Sequence, residues 1–536
     1  MKIIGTNYKN TLFMDKKLLK AIRITLGSVF FALITLLLLD FTGTLRRYLT
    51  FMAKIQFLPA VMALNFGVIV VLILLTLIFG RMYCSVICPL GVFQDAVSHI
   101  HGLKKKNRFK FRKEIKWLRY GVWALFVVAL AVGVNSFVAL LAPYSSWGRM
   151  VQNLFQPIYI WINNFFAFLA ERADSYTFYS KDIWIRSVST FVIAAVSFVV
   201  ITFVAWKTGR GYCNAVCPVG TTLSFFSRFS FFKMHINTEK CIKCDKCTKN
   251  CKSNCINGKE HYVDYSRCVV CGNCQAVCPK NAVTYSHINN KVKENGNTEA
   301  EKNSVVNESK RAFLFSSALL GGSLLFAQEK KKTDGGLAVI EDKKPYKRST
   351  PVVPAGAKSL KNLQNKCTGC QLCVSKCPND VLRPSSDLLH LMQPVMSFEK
   401  GACRPECTAC SSVCPAGAIT PVTVEEKTSI QTGVAKWVKQ NCVVVSNDHN
   451  CGNCARHCPS GAIIMVPYIK PDVRNNNGET EIKNSTEALD RQEVRQLMIP
   501  TVNESRCIGC GMCEYVCPSR PFSAIYVEGM EIHKNI

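Results

Sequence analysis

The sequence is short of acidic residues and of the motifs that hold haem or nucleotides. Asp and Glu together number 36, against 66 Lys and Arg, giving a formal net charge of +30 over 536 residues. No Cys-x2-Cys-His run occurs, so covalently attached haem is not expected. The four long apolar stretches contain no histidine, which argues against a b-type haem inside a bilayer. Neither a Gly-x-Gly-x-x-Gly fingerprint nor a P-loop is present, so nothing predicts a dinucleotide or nucleoside triphosphate site. The positive charge alone would suit nucleic acid. No nucleic-acid motif accompanies it, and no such partner is expected.

Cysteine is what the chain has in excess, with 29 residues. A secreted disulfide framework would be short and would lack long apolar helices. Here the cysteines fall into repeated C-x2-C-x2-C-x3-C runs, in which three close thiolates wrap three corners of a cubane and the distant fourth ligates a partner cluster. The first two runs are Cys241, Cys244, Cys247, Cys251 and Cys268, Cys271, Cys274, Cys278. One cluster then takes Cys241, Cys244, Cys247 and Cys278; its partner takes Cys268, Cys271, Cys274 and Cys251. Cys255 competes with Cys251 for the last place; the spacing favours Cys251 and leaves Cys255 as a buried free thiol. Four more runs follow, Cys367/Cys370/Cys373/Cys377, Cys403/Cys407/Cys410/Cys414, Cys442/Cys451/Cys454/Cys458 and Cys507/Cys510/Cys513/Cys517. Each of these four ends in Cys-Pro, where the ring stops a helix and turns the chain away. A zinc site accounts for a single Cys-x2-Cys pair but requires no third cysteine in the same run. The six runs predict six [4Fe–4S] clusters, which at roughly −2 each offset about 12 units of the positive charge.

The hydrophobic share of 49% is high for a wholly soluble protein. Segments 20–40, 59–80, 118–142 and 183–206 each have about the 20 apolar residues a transmembrane helix needs. Residues 150–170, interrupted by Pro157 and paired asparagines, read as an interfacial or re-entrant piece, with a fifth span as the alternative. The loop 101–117 carries Lys104, Lys105, Lys106, Arg108, Lys110, Arg112, Lys113 and Lys116, which places it and both ends of the helical part in the cytoplasm. The division expected is a membrane domain over 1–225, a two-cluster module over 226–287, a linker over 288–358 and a four-cluster domain over 359–536. Within the linker, Lys310-Arg311-Ala312-Phe313-Leu314 opens an apolar run, 312–327, of signal-peptide or short transmembrane length. The fold class expected is therefore an α-helical membrane domain of about four helices, duplicated, joined to α+β bacterial-ferredoxin-like [4Fe–4S] domains.

The duplication is visible directly. Gly80-Arg81-Met82-Tyr83-Cys84 to Cys88-Pro89-Leu90-Gly91 matches Gly209-Arg210-Gly211-Tyr212-Cys213 to Cys217-Pro218-Val219-Gly220, each copy following an apolar helix. The four cysteines Cys84, Cys88, Cys213 and Cys217 lie outside the cluster runs. They read either as packing thiols or a disulfide, or as a shared four-thiolate metal centre between the two halves. His99 and His101, near the same boundary, read as surface residues or as proton handlers beside a quinone.

These motifs carry a resemblance. The first 290 residues, with two G-R-x-Y-C-x3-C-P-x-G motifs and a two-cluster module, resemble the NapH/NosR family of membrane polyferredoxins. Residues 310–536 resemble NapG, the four-cluster partner in periplasmic nitrate reductase systems, so the chain reads as a fusion of the two. The resemblance implies an electron-transfer subunit of a bacterial inner membrane that takes electrons from the quinone pool to a partner oxidoreductase or cytochrome subunit, with its C-terminal domain in the periplasm. It also implies that the first C-terminal run pairs with the fourth and the second with the third. Cys517 would then serve the Cys367 cluster, Cys377 the Cys507 cluster, Cys458 the Cys403 cluster and Cys414 the Cys442 cluster. A rival reading is a maturation or regulatory factor that reduces a metal or thiol during assembly of another enzyme.

Overall fold

Runs of Leu, Ile, Val and Phe free of proline and charge wind into helix, and they dominate the N-terminal part. The computed structural model describes residues 16–104, 109–287, 341–468 and 497–536. The linker segment 288–310 and the apolar run 312–327 lie outside the described residues. In chain order the principal helices are α1 (Lys16–Leu39), α2 (Phe66–Phe79), α3 (Pro89–Lys104), α4 (Lys116–Val132), α5 (Pro143–Met150), α6 (Gln156–Arg172), α7 (Val188–Thr208) and α8 (Pro218–Ser227). By length and composition, Leu18–Leu39 and Val188–Thr208 could each cross a membrane; Phe66–Phe79 is apolar but shorter.

Two of the expected long helices are broken. The 59–80 segment turns at Leu64, which has φ +53°, and Asn65 restarts the helix by accepting a hydrogen bond from the Val68 amide at 3.3 Å. The 118–142 segment stops at Gly133, φ +86°, in the left-handed cap that glycine adopts without a Cβ penalty. Residues 150–170, by contrast, are helical throughout. A single π turn, Val151–Phe155, joins α5 to α6. Asn163 and Asn164 hold the returning loop by donating to the carbonyls of Tyr179 and Lys181 at 2.9 and 2.8 Å.

α1, α2, α4 and α7 all run between the same two ends. At one end sits the module that follows α8, its ribbon made from β1 (Phe232–Ile236) and β2 (Val283–His287) in antiparallel register. There Tyr285 donates to the carbonyl of Phe79 (3.0 Å), Arg119 to Ser266 (3.2 Å) and the Arg210 amide to the carbonyl of Lys252 (2.9 Å). At the other end sits the C-terminal module. Its ribbons pair β3 (Ile430–Trp437) with β6 (Ile525–Asn535), and β4 (Ile463–Pro467) with β5 (Met498–Val502).

The C-terminal module is fastened by charge. Lys376 donates at 2.7 Å to the carboxylate of Asp40, just past α1, and the two side chains are 1% and 5% exposed. Arg186 and Lys181 reach Asp380 at 3.2 and 3.5 Å. Gly148 of α5 lies against Cys370 so closely that a Cβ there would stand 2.4 Å from the Cys370 carbonyl oxygen. The four-helix core is therefore clamped between two cysteine-rich modules.

Candidate iron–sulfur sites

The first module gathers its thiols into two groups. Cys241, Cys244, Cys247 and Cys278 line one hollow. Cys268, Cys271 and Cys274 form the other, with Cys251 in electrostatic reach of Cys271 and Cys274. Cys255 is 1% exposed with its sulfur 3.6 Å from that of Cys251, and its other thiol contact is with Cys268. Five thiols thus meet here, with that of Cys255 in contact with both Cys251 and Cys268. This second group is the one nearer the core: Arg23 of α1 lies beside Cys271, and Arg81 beside Cys268.

The two repeats converge next. Cys84, Cys88, Cys213 and Cys217 are 3–5% exposed and neighbour one another, with Cys217 in reach of the other three. Their arrangement is pseudo-symmetric. Arg210 of the second repeat donates to the Cys84 carbonyl at 2.5 Å, while Arg81 of the first donates to the Cys213 carbonyl at 3.4 Å and approaches the Cys84 sulfur at 3.8 Å. Gln94 donates to the Cys213 sulfur at 3.2 Å and the Gly220 amide to the Cys217 sulfur at 3.4 Å. Asp95 anchors the layer, bound by Nε and Nη2 of Arg210 at 2.9 Å, by Arg23 at 2.5 Å and by Lys252 at 3.7 Å. Both motif arginines, Arg81 and Arg210, are fully buried. Tyr83 borders this group on its far side, and Tyr144 lies between Tyr83 and Cys370 of the C-terminal module.

The C-terminal thiols pair differently from the family-based expectation. Cys414, not Cys517, neighbours Cys367, Cys370 and Cys373. Cys377 lines one hollow with Cys403, Cys407 and Cys410. Cys517 lines another with Cys442, Cys451 and Cys454, and Cys458 a third with Cys507, Cys510 and Cys513. Runs adjacent in sequence therefore exchange their fourth cysteines, first with second and third with fourth. The cause is local packing: the turn Leu372–Ser375 lies against Ala409–Val413, and Asn453–Arg456 against Met512–Val516. The Cys403 amide donates to the Cys510 carbonyl at 3.0 Å, which brings the two pairs into contact.

The donor set fits anionic cubane centres. Backbone amides aim at the sulfurs of Cys278, Cys367, Cys458 and Cys517 at 3.2–3.4 Å, the hydrogen bonding that stabilises cluster thiolates and tunes their potential. Among the described residues no group of three or more His, Cys, Asp or Glu closes to the geometry of a single ion, whose thiolates would sit about 2.3 Å from the metal. When bound, such clusters supply one-electron redox steps at sites the chain fixes in space.

Burial pushes the thiol of Cys370 up to about 11, and those of Cys410, Cys454 and Cys510 up to about 12. Each ligand that leaves iron at neutral pH therefore takes up a proton, so acid favours release and alkali opposes it. Cluster loss to an iron chelator is expected to accelerate as pH falls through neutrality, by up to about tenfold per pH unit for each thiol that must be released. Bleaching of the cluster absorbance measures it, and a pH-independent rate would contradict it.

Among the other sequence candidates, His101 is stacked on Trp206 at 4.4 Å and bonded to its carbonyl at 2.7 Å, while His99 is exposed. Both lie at the first-module end and neither approaches the thiols. The motif arginines Arg81 and Arg210, with Gln94 and Asp95, are functional neighbours that the cysteine spacing did not single out. The arginines' place inside the repeat was the available signal.

Comparison with known proteins finds iron–sulfur families along the same stretches of the chain. Residues 61–108 and 190–238 match one family described as 4Fe-4S binding domain, and residues 363–383 match a second family of the same description. Residues 240–282 and 449–520 match the 4Fe-4S dicluster domain, the latter covering Cys451, Cys454 and Cys458 of the third C-terminal run and all of the fourth. The methylamine utilization ferredoxin-type protein MauM of Methylobacillus flagellatus is 31% identical over 186 residues, 34% of this chain and 70% of that protein. MauM of Methylophilus methylotrophus is 30% identical over 34% of the chain and 72% of its own length. The ferredoxin-type protein NapG of Escherichia coli is 27% identical over 37% of the chain and 81% of its own length. No solved structure matches. Cysteine sites and matches together define an iron–sulfur electron-transfer protein of the ferredoxin type. Within that class, the chain belongs to the family of ferredoxin-type proteins that includes MauM.

Proposed function

We propose that this protein conducts electrons through a bacterial cytoplasmic membrane, between the quinone pool and a partner oxidoreductase. The observation that carries the reading is the order of the thiol groups. From the Cys241 group they pass to the Cys268 group, to the four cysteines of the core, to Cys367/Cys370/Cys373/Cys414, to the Cys403 and Cys507 groups, and end at the Cys442 group. Six of the seven would hold [4Fe–4S] clusters, and the core group a further iron centre.

The membrane reading rests on the core. Its outward side chains include Val70, Val71 and Leu74 of α2, Leu125 and Val128 of α4, and Val196, Val199 and Phe203 of α7, an exposed apolar belt too large for a lone soluble domain. The 21 residues of α7 span about 31 Å, close to the hydrocarbon thickness of a bilayer. The Lys-rich 101–117 loop puts the first module in the cytoplasm. The C-terminal module, at the opposite end of the core, then faces the periplasm. Adding a quinol to purified membranes is expected to bleach the cluster absorbance. Bleaching by dithionite without any bleaching by quinol would contradict the quinone reading.

A further inference from the structure

A cavity of about 340 Å³ with no thiol in its lining lies where α6, the start of α7 and the C-terminal module meet. That volume is of the size small-molecule sites have. Its walls are apolar, from Pro157, Ile160, Trp184 and Phe191, and its polar groups converge. Arg186 donates to the Gln156 amide oxygen at 2.9 Å and to that of Gln152 at 3.4 Å. Asn153 donates to the Gln371 amide oxygen at 3.0 Å. Because donors hold these oxygens, the orientation of the Gln156 and Gln371 amides is fixed, and each Nε2 is left as a donor. Among the described residues neither the Gln156 Nε2 nor the Gln371 Nε2 has a partner, although the residues are 2% and 4% exposed. Two buried donors left free cost stability unless a ligand meets them.

The backbone adds an independent sign. Gln371 follows the second cysteine of its run, and it sits at φ +61°. At the same step of four other runs φ is positive too; the residue is Gly272, Gly452 or Gly511 in three, for which this carries no penalty, and the shorter Asp245 in the fourth. A long side chain held there costs roughly 1–2 kcal/mol, and it lines the cavity from the position next to Cys370. A π turn, Val151–Phe155, which such sites often contain, forms the opposite wall.

We infer that this cavity binds the ring of a hydroquinone, with the amides of Gln156 and Gln371 donating to its oxygens. The inference rests on the quinol reading above and assigns that reading a site. Oxidation breaks the two O–H bonds and turns both C–O bonds into C=O. The two electrons leave one at a time to the iron–sulfur site held by Cys367, Cys370, Cys373 and Cys414, and the two protons pass to water at the mouth beside exposed Asp182. Ile183 and Ile185, exposed on the same rim, suit an approach from the lipid phase.

The test uses the full-length, cluster-loaded protein and an azido-benzoquinone photolabel. Label is expected in peptides containing residues 152–160, 181–191 or 371. Gln371→Gly removes the amide while suiting the backbone angle, and Gln156→Leu removes the other. Each is expected to lower both labelling and quinol-driven cluster reduction about tenfold, with iron content and dithionite reduction unchanged. Labelling that maps elsewhere, or survives in both variants while quinol still reduces the clusters, would overturn this site but leave the quinol reading standing. Absence of both labelling and quinol-driven reduction in the unaltered protein would overturn the two together.

Discussion

Replacing Cys84 and Cys213 by serine is expected to remove one metal centre and to cut electron transfer between the two modules by orders of magnitude. The six remaining sites should still hold about twenty-four iron atoms, four in each. The reason is position. The four core thiols stand between the Cys268 group, reached through Arg81, and the Cys370 group, reached through Tyr83 and Tyr144. No other cysteine occupies that interval among the described residues. Two buried arginines and the donors of Gln94 and Gly220 already surround the sulfurs, as an anionic centre demands. Iron analysis and low-temperature magnetic resonance would count the centres. Transfer and iron content both unaltered would reduce these cysteines to packing thiols.

The second large effect is expected at Asp95. Its carboxylate is the common partner of Arg23, Arg210 and Lys252, which come from α1, the second repeat and the first module. Asp95→Asn keeps the shape and removes the charge, leaving three cations crowded in a buried layer. Breaking one side of a buried ion pair costs about 3–5 kcal/mol. Thermal unfolding followed by cluster absorbance should fall sharply, and the first module should become the easier to strip of iron. Asp95→Glu should recover part of the loss. An unchanged unfolding temperature for Asp95→Asn would mean that the layer is held by packing alone.

The sites were more legible in the sequence than the fold that holds them. Ligation demands one residue type at fixed spacing, so the six runs could be read directly, and the repeated Cys-x3-Cys-Pro motif set the core thiols apart as a group of their own. Spacing is silent on which run folds against which. That is settled by packing between turns such as Leu372–Ser375 and Ala409–Val413, and the family-based pairing of Cys367 with Cys517 gave way to Cys414. Hydropathy likewise cannot sense a backbone angle. The breaks at Leu64 and Gly133 divide apolar stretches that read as continuous. The paired asparagines of 150–170 looked like interruptions; they are instead the clamps for the loop that walls the cavity.

The central claim is that electrons cross the helical core from one module to the other. It is tested most directly by placing the purified protein in sealed vesicles that enclose ferricyanide and adding dithionite, which does not cross lipid, outside. The account predicts reduction of the enclosed ferricyanide at a rate that scales with protein and collapses in the Cys84→Ser/Cys213→Ser protein. Reduction no faster than in protein-free vesicles, with all clusters loaded, would contradict it.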